Sequence, residues 1–246
     1  MPEPQETVDA SALTARIARL IDAGRTGAAR PLLVAARRIA QPSPVLPLLA
    51  ARLAMREGRL DLAQSELDAA IAATPDHVEL RKCRAEVRQR TGDKAGAAGD
   101  AAEAVILDRQ YPSSKALLGV LLLELGRTAD AIACLAEAVA ANPAHPAYRE
   151  GLAAAQQSAG DGDAAAATLA AGIVAAPGSA ALRNAATLLA VSQRDFKTAV
   201  QLAEQACSDG VADACLLGLK GHALSSLGRH VEAADAYAEA LKFGPD

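Results

Sequence analysis

Apolar positions recur along this chain with a helical period. Counting from Ala131, offsets 4, 7 and 8 hold Leu135, Ala138 and Val139, and the same spacing returns after Ala29, Ala63, Ala97, Ala165, Ala199 and Ala233. These offsets lie on one face of an α-helix. At offset 4 stand Leu33, Leu67, Ala101, Leu169, Ala203 and Tyr237, and at offset 7 Ala36, Ala70, Ala104, Gly172, Ala206 and Ala240. Offset 8 is apolar too, with Arg37 the exception. A second set of helices is marked by pairs seven residues apart: Leu46 with Leu53, Leu80 with Val87, Ser114 with Leu121, Tyr148 with Ala155, Leu182 with Leu189 and Leu216 with Ala223. The first such pair, Ala12 with Arg19, is weaker, as an outer cap should be.

The alanine column steps by 34 residues from Ala29 to Ala233, and Gly24, Gly58, Gly92, Gly126, Gly160 and Gly228 keep the same step, each five residues ahead of its alanine. Only Arg194 breaks the glycine column, and with 18 glycines in 246 residues the coincidence is not compositional. The pattern predicts seven units, 10–43, 44–77, 78–111, 112–145, 146–179, 180–213 and 214–246, each a helix, a glycine turn, a second helix and a short loop. The glycine has a physical cause: a chain reversing just past a helix end commonly takes a left-handed backbone, which costs glycine least. Arg194 is then strained. Pro75, Pro143, Pro177 and Pro245 close second helices, with Gln41, Arg109 and Val211 in the same slot and Pro42 and Pro112 nearby. Pro31 predicts that the second helix of the first unit starts late or kinks. Residues 1–9, with Pro2, Pro4 and several acids, read as a disordered lead, and 10–246 as a single array.

Composition sharpens this picture. Apolar residues make up 51% of the chain but aromatics only 2%, so the core must be built from Ala, Leu, Val and Ile with helices close together. A net charge of −4 gives no basic excess for nucleic acid. Four cysteines without CxxC spacing fit a reducing, cytoplasmic setting. Met1 to Ala10 lacks the form of a signal peptide, and the apolar stretch Ala116 to Leu123 is too short to span a bilayer. The four histidines show no metal spacing. Cys215 and His222 could share a helix face, but two ligands do not make a zinc site. Asp161 and Asp163 read as helix caps rather than a calcium loop. No phosphate-binding or nucleophile motif is found, so neither an enzyme nor a cofactor or metal is expected.

The step of 34, the turn glycine, the following alanine and the closing proline resemble the tetratricopeptide repeat, over about residues 10–246. The chain departs from that pattern in its aromatics, since Leu and Ala stand at several places where the family puts Trp, Tyr or Phe. The resemblance implies an all-α, right-handed α-solenoid of stacked helix–turn–helix repeats, a superhelix with a concave groove lined by the first helices. It also implies a protein-binding scaffold rather than a catalyst. Some relatives clamp a C-terminal carboxylate through Lys and Asn. The Asn places hold Ala15, Leu49, Cys83, Leu117, Gly151, Ala185 and Leu219, so heat-shock chaperone binding by that device is not expected.

First-helix residues that avoid both packing seams should line the groove. The candidate set is Arg52, Met55, Arg56, Lys82, Arg90, Val120, Leu123, Ala154, Leu188, Val191 and His222. It contains a basic region, extended by Arg81, Arg84 and Arg88, that suits an acidic segment, or is a solvated face paired with Glu79 and Glu86. It also contains an apolar region, Val120, Leu123, Leu188 and Val191 with Ala154 between, that suits an amphipathic helix or extended peptide, or is packing between neighbouring units. The expected partner is a protein or peptide, with no nucleic acid and no membrane. The sequence stops at the end of a unit with no polar capping helix after it, so Leu217, Leu224, Tyr237 and Leu241 are expected to be partly open. Two alternatives follow: self-association through that end, or a recruiting arm of a larger bacterial enzyme, such as a methyltransferase, whose catalytic domain lies beyond residue 246.

Overall fold

The computed structural model describes residues 10–39 and 43–243. The expected lead at 1–9, and Gln41, Pro42 and Pro245, lie outside the described residues. Within them the chain forms fourteen α-helices and no strand, two helices in each 34-residue repeat. They are α1 (Ala10–Asp22), α2 (Thr26–Ile39), α3 (Val45–Arg56), α4 (Leu60–Ala73), α5 (Val78–Thr91), α6 (Lys94–Leu107), α7 (Pro112–Glu124), α8 (Thr128–Ala141), α9 (Pro146–Ser158), α10 (Gly162–Ala175), α11 (Ala180–Ser192), α12 (Phe196–Ser208), α13 (Ala214–Ser226) and α14 (His230–Ala240). A short 3-10 turn, Leu241–Phe243, follows. The chain divides into two compact blocks, residues 1–121 and 122–246, with the division inside α7.

Each turn between the paired helices is a left-handed cap. Glycines 24, 58, 92, 126, 160 and 228 all have positive φ, and Arg194 takes the same backbone at φ 60°. The residue after each donates its N–H back to a carbonyl five residues earlier, as in Arg25 to Leu20 at 2.8 Å and Asp195 to Ala190 at 2.9 Å. This hydrogen bond satisfies a carbonyl that the helix end would otherwise leave unpaired. In three repeats the same residue then caps the second helix: Asp93 accepts from Gly96 N–H, Asp161 from Ala164 and Asp195 from Thr198. Second helices end where the prolines require, α4 at Ala73 before Pro75 and α8 at Ala141 before Pro143. The helix α2 starts at Thr26 with Pro31 inside it, so the late start expected there does not occur.

Packing follows the repeat. In the first block, Ile17, Ile21, Ala29 and Leu33 of one hairpin bury with Leu46, Leu49 and Leu53 of the next first helix. Ala63, Leu67, Ala70 and Ile71 bury in turn with Leu80, Cys83 and Val87. In the second block, Ala165 and Leu169 bury with Leu182, Ala186 and Leu189, and Ala199 and Val200 with Ala223 and Leu224. A fully buried leucine contributes about 1.5–3 kcal/mol. Here that burial is shared between the hairpin's own second helix and the first helix of the neighbouring repeat, so each repeat leans on the next. The alanine column is fully buried from Ala29 to Ala199, which lets the paired helices approach closely. At Gly172 an added Cβ would lie 2.6 Å from the Arg149 stem, so a methyl group there would require that side chain to move.

One device of the repeat is not apparent from apolar spacing. Arg81, Arg149 and Arg183, at one repeat position, each donate to the carbonyl of the proline six residues earlier, at 3.0 Å (Pro75), 2.7 Å (Pro143) and 3.2 Å (Pro177). Each ties a first helix to the loop that leads into it. At the last repeat, Leu217 and Leu224 are buried at 1%, contrary to the expectation that they would be partly open, with Leu224 packed among Ala233 and Ala236 of α14. Tyr237 and Leu241 are exposed as expected.

Candidate functional site

The first helices of each block lie side by side, α1 with α3 and α5, and α9 with α11 and α13. One repeat position on them reads Arg52, Glu86, Val120, Ala154, Leu188 and His222. Its character changes along the chain from charged to apolar and ends on an imidazole.

In the first block the charged part is a web of ion pairs. Arg52 reaches Asp22 at 2.5 Å, which joins α3 to α1. Lys82 pairs with Glu79 at 2.9 Å and stands 4.5 Å above the Tyr111 ring. Burial opposes ionisation of Glu79, but the hydrogen bonds from Lys82 and Tyr111 outweigh it and hold its carboxyl below the usual range. Glu86 is exposed by area, yet enough protein surrounds it to push its carboxyl up, against the pull of Lys82, Arg90 and Arg52. Arg56 and Arg90 are exposed, and Val120 is half-buried. Met55 is buried, with its sulfur 3.7 Å from that of Cys83. Burial also pushes the Cys83 thiol up to about 12, which leaves it protonated and inert.

The basic region is narrower than the sequence suggested. Arg84 and Arg88 do not join Arg52, Lys82 and Arg90. They turn instead to Asp100 on α6, which is 4% exposed. Arg84 holds its two oxygens at 2.8 and 2.6 Å and reaches Asp68 at 2.8 Å, and Arg88 lies 2.9 Å from the same Asp100. Two cations share one buried acid, at positions that Leu118 and Leu122 occupy in the next repeat. Their partners are therefore Asp100 and Asp68, not the Glu79 and Glu86 of the sequence reading. Asp100 itself carries no sequence signal, because its role depends on which face of α6 meets α5. Arg81 is likewise engaged, with Pro75.

In the second block the same face is largely apolar. Leu188 is 56% exposed, Ala154 is exposed, and Leu123 and Val191 are half-buried. Val191 packs on the cluster around Ala190 and Leu224. Polar bridges flank this patch: Gln157 of α9 to Ser192 of α11 at 2.8 Å, and Asn184 to Asp213 at 2.8 Å. His222 is exposed, with the Phe196 ring edge-on at 6.1 Å. Among the described residues no cluster of three metal-ligating side chains occurs, and no helix is long and apolar enough to cross a membrane.

Two family models for the tetratricopeptide repeat match the chain, one over residues 117–180 and 185–246, the other over 20–87. The chain is a tetratricopeptide repeat protein. Solved structures agree on the fold. A tetratricopeptide repeat protein from Parabacteroides merdae is 19% identical, with a TM-score of 0.71 over 96% of this chain and 94% of that one. PilW, a type IV pilus biogenesis factor, is 19% identical, with a TM-score of 0.68 over 83% of this chain and 94% of its own. The pilF protein of Pseudomonas aeruginosa is 17% identical, with a TM-score of 0.65 over 81% of this chain and 90% of its own. No curated protein matches the sequence. At such identities the likeness establishes the α-solenoid fold. Tetratricopeptide repeat proteins in general mediate contacts between proteins and are typically not catalysts.

Proposed function

We propose that this tetratricopeptide repeat protein is a scaffold that binds a partner protein or peptide along the face of its first helices. The observation that carries this reading is the exposure of Leu188 on α11, beside half-buried Val191 and exposed Ala154. An exposed leucine with apolar neighbours, rimmed by hydrogen-bonded Gln157, Ser192 and Asn184, has the composition of an interface core with a polar rim. In the first block Arg56 and Arg90, exposed beside the already paired Arg52 and Lys82, supply a basic part suited to an acidic segment. The partner therefore carries both an apolar and an acidic segment.

The test is a capture experiment from the native host, comparing the wild type with Val120→Glu/Leu188→Glu and with Arg52→Glu/Arg90→Glu. Each variant should lose the same specific partner, by about tenfold or more in recovered amount. An unchanged partner set in the first variant overturns the apolar contact, and in the second the basic one.

A further inference from the structure

The second block holds an apolar hollow of about 340 Å³ on its other side, between α10 and α12 with α11 as its floor. The floor is Ala186 and Ala190, and Ile173, Leu189 and Leu202 form the walls. Its cause is visible in the repeats. The two floor positions hold Arg84 and Arg88 in repeat 3 and Leu152 and Gln156 in repeat 5, side chains large enough to fill the slot. Only repeats 2 and 6 place alanine at both, Ala50 with Ala54 and Ala186 with Ala190. Repeat 2 accordingly has a hollow of its own over the same positions, but of about 170 Å³.

The rims of the two differ. In repeat 2, Arg37 and Glu66 face each other at 2.7 Å, and Glu57 pairs with Arg30 at 2.7 Å. Arg59 adds a third cation, 3.8 Å from Glu57. These charged side chains strap the slot. At the corresponding positions in repeat 6 stand Ile173 and Leu202 in place of Arg37 and Glu66, and Gln193 and Ala166 in place of Glu57 and Arg30. Asp195 replaces Arg59, so the charge at the mouth is reversed. The other charged group at the hollow, Arg183, is 7% exposed and already neutralised by Asp209 at 2.6 Å. What remains is an apolar cavity with one carboxylate at its rim.

We infer that the repeat-6 hollow is a small-molecule site for a compact apolar amine, whose hydrocarbon body sits on Ala186 and Ala190 and whose ammonium meets Asp195. The volume lies at the low end for small-molecule cavities and suits a single fused-ring body. Asp195 accepts from Thr198 through both the backbone N–H and the side chain, and its solvent-exposed carboxylate keeps further lone pairs for the cation. This site is separate from the first-helix face, so it stands or falls independently of the scaffold reading.

The test uses tryptamine, indole and indole-3-acetate as probes of one ring with three charges, titrated into the full chain and followed by methyl NMR of alanine and leucine. Tryptamine should saturate with a dissociation constant of about 1 mM or tighter, shift signals only in α10 to α12, and bind about tenfold more tightly than indole-3-acetate. Ile173→Arg/Leu202→Glu, which rebuilds the repeat-2 strap, should weaken it about tenfold. Ala190→Leu, which fills the floor without adding charge, should abolish it. Asp195→Asn, which can still cap α12, should remove the preference for the cation. Absence of saturation, equal affinity for indole-3-acetate, or binding unchanged in both the strapped and the filled variant overturns the proposal. Binding of a capped Trp-Lys dipeptide without tryptamine binding would assign the hollow to a partner side chain and overturn it equally.

Discussion

Arg194 does alone what glycine does in six other turns. Its φ of 60° is a conformation in which a Cβ crowds the following carbonyl. Arg194→Gly should raise stability by about 1 kcal/mol, read as a higher denaturant midpoint with an unchanged slope. Asp195 next to it already caps α12, so the turn geometry survives the change. Glu86 makes a second case. Its carboxyl is raised by burial despite three nearby cations, so its ionised form is the one the fold disfavours. That cost is absent below the carboxyl's unfolded value and present once the pH exceeds its folded one. Glu86→Gln should therefore raise the melting temperature at pH 7 to 8, with the gain fading toward pH 4. A gain that grows on acidification would reverse the sign of this account.

Helices and turns were legible in the sequence because their causes are local. Left-handed backbone selects glycine within one residue, and close helix approach selects alanine, so Gly58 with Ala63 marks a turn and a buried contact at once. The interactions that the pattern hid are those between helices. Arg84 and Arg88 on α5 looked like part of a basic surface, but their acid lies on α6 and is fully enclosed. Breaking one side of such a cluster costs more than removing it whole. Asp100→Ala should destabilise by about 3 kcal/mol, since it removes the acid that two half-buried cations share and leaves Arg84 only Asp68, whereas Arg84→Leu/Arg88→Leu/Asp100→Ala should be close to neutral. Urea unfolding of both variants checks this. Equal losses in the two would show that packing, not charge, holds α5 on α6. The repeat-6 hollow was hidden for a related reason. Ala186 and Ala190 are ordinary helix residues until they are compared with what other repeats put in the same two places.

For the molecule as a whole, each repeat is stabilised by its neighbour, which frees one face of the first helices from the core. In the first block that face is charged and internally paired; in the second it is apolar, with Leu188 open. Of the candidate residues, Arg52, Lys82 and Arg90 stand near enough to Glu86 to pull against the upward shift of its carboxyl, whereas the position of Met55 in the helix carries it into the core. Burial of that kind depends on how far α3 is rotated against α5, which a repeat pattern states only to within a residue. The direct measurement is photo-crosslinking in the native host from a benzophenone side chain placed at position 188 on α11 or, as a control, at position 174 on α10, where Val174 is 83% exposed. The account predicts a discrete adduct with a partner protein from position 188 and none from position 174. An adduct from 174 alone, or from neither, would contradict the claim that this protein works through the face of its first helices.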